Sequence, residues 1–382
     1  MEKIKISSLG ALDEVKFKKL ADDRNKWLKD GEDMLIDTAT PINKLAINLK
    51  KDRVFLTIKK IIKENDDVIT LVLNSSDGEQ VPTFRAGQYI TLTMKKNEEL
   101  ITRPFTLSSS PNMTQAGEYK VTLFKDDESG SIFFDKVKVG DRLIGSYPMG
   151  DFYYSVVRDQ KNVIAIVSGK GICGIYSMAQ AIASGIDNYN LTIFYNVKYE
   201  KDLIYKKELD SLCNKTSKIK VIYVLSDEEK EGYLTGFVSL DKIKNEMKEN
   251  NTFFISGSEG MLKYLDNELE ELKISNKFIR YESFLPKCNI KKVSEYNLTL
   301  YINNEKHLVP CYNNKTIMQA IMDYGVYIPN KCRNGSCGFC SSELVSGSVK
   351  VINDKRTEAD KKYNLIHPCC TYPVSDIEII VR

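Results

Sequence analysis

The chain changes its hydrophobic rhythm three times. Between residues 51 and 157, short β-branched and aromatic runs (Val54–Ile58, Val68–Leu73, Tyr89–Thr93, Tyr119–Phe124) are separated by Gly, Asp and Asn. Regular short strands with such punctuation predict an antiparallel β-barrel. From 158 to 285, strands alternate with stretches of helical spacing. Asn162–Val167 leads through the glycine turn Ser168–Gly174 into a helix over Tyr176–Ala181, and further strands fall at Leu191–Tyr195, Ile219–Val224 and Thr252–Ile255. That rhythm predicts an open α/β domain with a parallel sheet. Residues 286–294 form a polar tether. From 295 to 382 strands return: Leu298–Ile302, an Asn-Asn-Glu-Lys turn, His307–Cys311, a helix over Thr316–Tyr324 stopped by Gly325, and a last strand at Ile377–Val381. Together these describe a small β-grasp domain. Residues 1–50 hold a charged amphipathic stretch from Asp13 to Lys29, with Leu20, Trp27 and Leu28 on its apolar side. It is expected to form a helical flap on the barrel. The fold class is thus multi-domain: β-barrel, α/β domain, β-grasp.

Composition narrows the function. The 382 residues, 42% hydrophobic and 28% charged, suit a globular chain of two to three domains. Fifty-five basic and 52 acidic side chains leave a net charge of +3, which gives no support for a nucleic-acid or anionic-membrane partner. No apolar run approaches the roughly 18 residues of a membrane span. The start lacks the apolar core of a signal peptide, so a cytoplasmic location is expected. With only two histidines, His307 and His367, His-rich zinc sites and His-based triads are nearly removed.

The nine cysteines are unevenly spread. Cys332, Cys337 and Cys340 form a C-x4-C-x2-C run, and Cys369-Cys370 follows after 28 residues. This is the ligand spacing of a plant-type 2Fe–2S cluster, in which four thiolates hold two irons. Gly335 and Gly338 give the loop the freedom to turn its amides towards the sulfurs. Zinc is a competing reading, but its knuckles usually come as paired C-x2-C, and a single such pair is present. Disulfides fit poorly in a cytoplasmic protein. Cys213, Cys288 and Cys311 lack ligand spacing and read as structural.

The stretch from 295 to 382 resembles plant-type ferredoxins down to Tyr372-Pro-Val-Ser-Asp376 after the last ligand. That resemblance places the fourth ligand at Cys369 rather than Cys370. Ten basic and nine acidic residues leave this stretch at about +1. Free ferredoxins tend to be acidic for docking, so near-neutrality suits a ferredoxin tethered to its redox partner.

Phe84–Tyr89, Arg103-Pro-Phe-Thr106 and Gly145–Phe152 resemble segments of the flavin barrel of the ferredoxin–NADP reductase superfamily, which carries an Arg-x-Tyr-Ser motif. The resemblance implies FAD, with FMN as the alternative. Arg103 would meet the flavin phosphates with a charged fork, with Pro104 beside it. Phe105 would lie on the isoalloxazine face, and the Thr106 hydroxyl near N5. The family's phosphate-binding turn would fall near Ser129–Ser131, opening the helix that holds Phe133 and Phe134. The turn at Gly169, Lys170 and Gly171, the Ser256-Gly-Ser258 segment and the closing Tyr281-Glu282-Ser-Phe284 resemble the family's nicotinamide domain. They imply that NAD(P)H binds at Gly169–Gly171, with Glu282 and Phe284 beside the flavin. Two positions depart from the pattern. Cys173 stands at the family's threonine, and Ser256 at its cysteine. Both lie close to the nicotinamide in the family, so they count among the catalytic candidates with Thr106 and Glu282. Cys173 reads as a small buried side chain or as a redox-sensing thiol.

The implied function is an NAD(P)H-dependent oxidoreductase that passes electrons through flavin and a 2Fe–2S cluster to an external redox protein, such as an oxygenase or another metalloprotein. Flavin is required because nicotinamide delivers two electrons together while the cluster accepts one. Two rivals remain open. One is an electron carrier that no longer binds nicotinamide, suggested by Cys173 and Ser256. The other is an electron-transfer subunit of a larger complex, like that of dihydroorotate dehydrogenase, where the fourth cysteine follows sooner. The loop Asn196–Asp202 carries Lys198 and Lys201 with Glu200 and Asp202, which implies use of NADH and NADPH with a slight preference for NADH.

Overall fold

A computed structural model describes residues 53–382, apart from 77, 79, 97–98, 127, 273, 283–291, 303–304, 327, 331–334, 336, 353 and 382. The helical flap expected in residues 1–50, and the positions Phe284, Cys288 and Cys332, lie outside the described residues.

The first domain is built from β1 (Arg53–Lys63), β2 (Val68–Ser75), β3 (Tyr89–Lys96), β4 (Glu99–Thr106), β5 (Glu118–Phe124), α1 (Glu128–Phe134) and β6 (Arg142–Ser146). The strands pair antiparallel in the order β4-β3-β6-β1-β2-β5. A bridge between Leu107 and Val121 draws the two edge strands together, so the sheet curls into a nearly closed barrel. Leu56, Ile58, Leu71, Leu73, Ile90 and Leu92 fill it, and Phe133 of α1 is fully enclosed among them. Strand β2 departs from simple alternation, with Val68 to Leu73 all buried. Ile69, Leu71 and Leu73 face the barrel core, while Val68 joins the core of the next domain. A strand covered on both faces needs no polar side, which explains its continuous apolar run.

The second domain contains β7 (Asn162–Ser168), α2 (Ile172–Ala183), β8 (Asn190–Val197), α3 (Lys206–Lys215), β9 (Ile219–Leu225), β10 (Leu234–Thr235), α4 (Leu240–Lys244), β11 (Asn251–Ser256), α5 (Glu259–Glu271) and β12 (Ile279–Glu282). Its strands are all parallel, in the order β10-β9-β8-β7-β11-β12. The chain winds outward from β7 in one direction and then restarts at β11 on the other side. Such a reversal opens a crevice at the carboxyl ends of the two strands, where open α/β sheets bind ligands.

The third domain contains β13 (Glu295–Ile302), β14 (Glu305–Tyr312), α6 (Ile317–Asp323), β15 (Ser342–Ser346), β16 (Val349–Val351), α7 (Glu358–Lys362), β17 (Leu365–Ile366), β18 (Thr371–Pro373) and β19 (Ile377–Val381). Its main sheet runs β14-β13-β19-β15-β17, with β13 and β19 parallel, and β16 pairs with β18. The Thr316 side chain accepts from the Gln319 amide and caps α6, a contact worth about 1 kcal/mol. Gly325, at φ +90, ends that helical segment as expected. The hairpin is tighter than its sequence suggested: Glu305 and Lys306 already pair with Ile302 and Tyr301.

Candidate functional site

Glu282 is the hub of the junction between barrel and α/β domain. It closes β12, and its carboxylate accepts one hydrogen bond from the Thr106 hydroxyl of β4 (2.7 Å) and another from the Ser256 hydroxyl of β11 (2.6 Å). The three side chains are 7%, 8% and 2% exposed, so the contact is sealed from bulk water. Burial pushes the Glu282 carboxyl up to about 7, and the two hydroxyl donors with the charges of Lys170 and Lys355 hold it from rising further. Sequence separations of 176 and 26 residues are thereby closed into one cluster.

The glycine turn is shaped by this cluster as well as by the crevice. A Cβ on Gly171 would collide with the Ser256 carbonyl, and one on Gly174 would stand 3.2 Å from the Thr106 methyl. Gly169, at φ +51, makes the left-handed step that starts the turn. Cys173 is 3% exposed, and burial pushes its thiol far above the ordinary range. A buried neutral thiol is less reactive than an exposed one, which suits the packing reading of Cys173.

Beside the turn opens a crevice of about 1080 Å³ at the reversal between β7 and β11. Ser168, Gly169, Ser258 and Met261 line it from the two strand ends, and Asn196, Lys198, Asp202 and Ser226 from the ends of β8 and β9. The barrel contributes Asn65, Asp67 and Lys125. Of the charged loop, Glu200 is engaged elsewhere: its carboxylate takes Lys230 and Tyr233, while its amide donates to Glu228. Lys201 lies over the Tyr199 ring, 5.4 Å from its centre. Lys198 and Asp202 are the charges of that loop lining the crevice.

On the flavin side, Arg103 is half-buried and donates to the Thr102 carbonyl (3.0 Å), and Pro104 is buried. Phe105 takes the register of Ile90, is 5% exposed, and packs edge-on to Phe133 with ring centres 5.2 Å apart. The segment 129–131 opens α1, in its first turn, with Ser131 exposed.

In the third domain Cys340, Cys369 and Cys370 are buried in one core cluster, and Cys337 is partly exposed. The Cys370 thiol lies 3.4 Å from the His367 carbonyl. Gly335 and Gly338 adopt φ +80 and +66, left-handed steps that let a short loop curl around a cluster. A thiolate-rich, tightly turned loop beside a buried cysteine fits a 2Fe–2S cluster. Cys311 is structural as expected, fully buried with its thiol near the Tyr296 carbonyl (3.4 Å).

The sequence reading missed the contacts that join the two domains of the junction. The Tyr205 hydroxyl, from the α/β domain, reaches Thr70 (2.9 Å) and Thr122 on the barrel, and Ser108 bonds Thr122 (3.0 Å). Ser177 and Gln180 of α2 donate to the carbonyls of Ser109 and Ser108. Asp159, whose side chain is fully enclosed, pairs with Arg158 (3.0 Å) and Arg280 (2.7 Å), tying the interdomain segment to β12. A threonine inside an otherwise apolar strand, as at Thr70, was the available signal.

Three family profiles match the chain in order: an oxidoreductase FAD-binding domain over residues 55–154, an oxidoreductase NAD-binding domain over 165–267, and a 2Fe-2S iron-sulfur cluster binding domain over 300–374. Among curated proteins, the chain is similar to the glycine betaine monooxygenase reductase subunit of Chromohalobacter salexigens. They share 23% identity over 346 residues, 84% of this chain and 93% of the relative. It is also 23% identical over 324 residues to the NADH oxidoreductase HCR of Escherichia coli, spanning 84% of this chain and 96% of the relative. Among solved structures, a phthalate dioxygenase reductase aligns with a TM-score of 0.62 at 20% identity, covering 86% of this chain and 97% of that one.

Proposed function

Because the chain belongs to the ferredoxin–NADP reductase superfamily, as a flavin reductase carrying a 2Fe–2S domain, we propose that it is the reductase component of an oxygenase system. When bound, FAD and the cluster supply the conversion of a hydride pair into single electrons that an external acceptor needs. The protein's own residues do the positioning. The crevice at Gly169 and Ser258 takes the dinucleotide, with Lys198 and Asp202 at its far end serving NADH and NADPH, NADH slightly better. Thr106 places a hydroxyl at the flavin N5 side of the junction, and Glu282 holds that hydroxyl and Ser256 in one arrangement. Arg103 and Ser131 are assigned to the flavin phosphates, Phe284 to the flavin edge, and Cys332, Cys337, Cys340 and Cys369 to the cluster.

The observation that carries this reading is the convergence of Thr106, Ser256 and Glu282 beside the nucleotide crevice. Ser256 in place of cysteine still bonds Glu282, so the departure from the family pattern is absorbed into a complete site; this counts against a carrier that has lost its nicotinamide step. The relatives named for monooxygenase systems support an oxygenase as the acceptor. An anaerobic NADH titration of the purified protein tests the reading. Bleaching of the flavin followed by a 2Fe–2S EPR signal is expected, and a flavin left oxidised by both NADH and NADPH would overturn it.

A further inference from the structure

His367 is one of the chain's two histidines and is 3% exposed, directly before the Pro368-Cys369-Cys370 turn. Its ring reaches two glycines of the cysteine loop, Gly335 and Gly338. Nδ1 stands 2.8 Å from the Gly335 carbonyl, inside the C-x4-C interval. A carbonyl only accepts, so Nδ1 carries the proton and donates. Nε2 lies at the other interval of the loop, since a Cβ on Gly338 would stand 3.8 Å from it. Among the described residues Nε2 is buried without a hydrogen-bond partner, and its nearest carboxylate, Asp360, is 3.9 Å away and committed to the Thr357 amide (2.7 Å) and hydroxyl (2.8 Å). The backbone is fixed too: the His367 carbonyl accepts from the Cys370 amide (3.0 Å) and the Thr371 hydroxyl (2.8 Å). A Cβ on Gly335 would stand 2.6 Å from the Cys370 sulfur, so that glycine fits tightly between ring and thiol.

We propose that His367 is a positioning residue for the cluster, its Nδ1–H pinning the Gly335 carbonyl so that the ligand loop keeps one conformation. The inference rests on the 2Fe–2S reading of this loop. Its physical content is that a peptide plane held at its carbonyl has its N–H direction fixed as well. Release of the carbonyl frees the plane to rotate, which changes the hydrogen bonding around the sulfurs, and with it cluster retention and potential. Cys370 backs the same turn from the other side, which gives the second cysteine of the pair a role without ligation.

The test uses the full-length protein with three substitutions, His367→Phe, His367→Asn and His367→Gln. Phenylalanine keeps the ring and loses the donor; the asparagine amide reaches the Nδ1 position; the glutamine amide reaches that of Nε2. Loss of cluster absorbance under an iron chelator is followed, with flavin retention as the folding control and the cluster's midpoint potential as the second readout. His367→Phe is expected to lose its cluster about tenfold faster than wild type, with a shifted potential, and His367→Asn to restore both. Wild-type retention and potential in His367→Phe would overturn the proposal, as would rescue by His367→Gln and not by His367→Asn. Should His367→Phe also lose its flavin, the Asn and Gln pair decides alone. A wild-type protein without a 2Fe–2S spectrum would instead overturn the reading of the loop itself.

Discussion

The junction around Glu282 and the cysteine loop around Gly335 are built by opposite means. The junction draws single side chains from β4, β11 and β12, on two domains, and holds them by burial and hydroxyl-to-carboxylate bonds. The loop draws three cysteines from nine consecutive residues and one from a tail, and local backbone turns hold it. The first kind of site depends on how two domains meet; the second depends on one short stretch of backbone. The two should therefore fail differently, the junction through interdomain stability and the loop through single ligands.

The largest expected effect is at the loop. Cys369→Ser should abolish the reduced-state EPR signal, and Cys370→Ser should leave it. The reverse outcome would move the ligand by one residue and unsettle the account of Cys370. At the junction, Asp159→Asn should cost about 3 kcal/mol or more in urea unfolding, because Arg280 and Arg158 lose a buried partner. An unchanged midpoint would show that the domains meet without that tie. Glu282 gives a pH signature. Its carboxyl is raised from 4.5 to about 7 in the folded chain, so the folded state binds the proton more tightly than the unfolded one. The associated stability is present below about pH 4.5 and is lost as pH rises through 7, roughly 3 kcal/mol in all. Melting temperatures across pH 5–8 should fall in wild type and flatten in Glu282→Gln; parallel curves would place the proton elsewhere. Tyr205→Phe should cost about 1 kcal/mol through its lost hydroxyl bonds, measured by chemical denaturation. Smallest of all, Lys198→Glu should leave NADH turnover within about twofold. A large loss confined to NADPH would identify that lysine as a phosphate contact.

The same contrast governs what the sequence made legible. Strand and helix positions came through well because periodicity is local: β19 and the Thr316 cap stand where the pattern placed them. The cysteine loop was readable from spacing alone, since its geometry is carried by neighbouring residues. Thr106, Ser256 and Glu282 have no mutual spacing to read, and only their resemblance to a known arrangement brought them forward. Phe105 came forward by the same route, and strand register sets its ring against Phe133 in the barrel core. Thr70 hinted at a polar partner, but nothing local named Tyr205 as that partner, because Thr70 and Thr122 meet it only when the second domain covers them.

The placement of β19 also constrains how the protein is made. This strand lies in the middle of the third domain's sheet, between β13 and β15, and Leu298 meets Ile377 across 79 residues of chain. During synthesis the cysteine loop emerges about forty residues before that strand. It therefore precedes the strand that completes its sheet. Closure waits for a parallel, long-range pairing, the slow kind of contact in folding. The third domain's sheet thus cannot close until Ile377–Val381 has been made, whereas the strands of the first two domains are complete by Glu282.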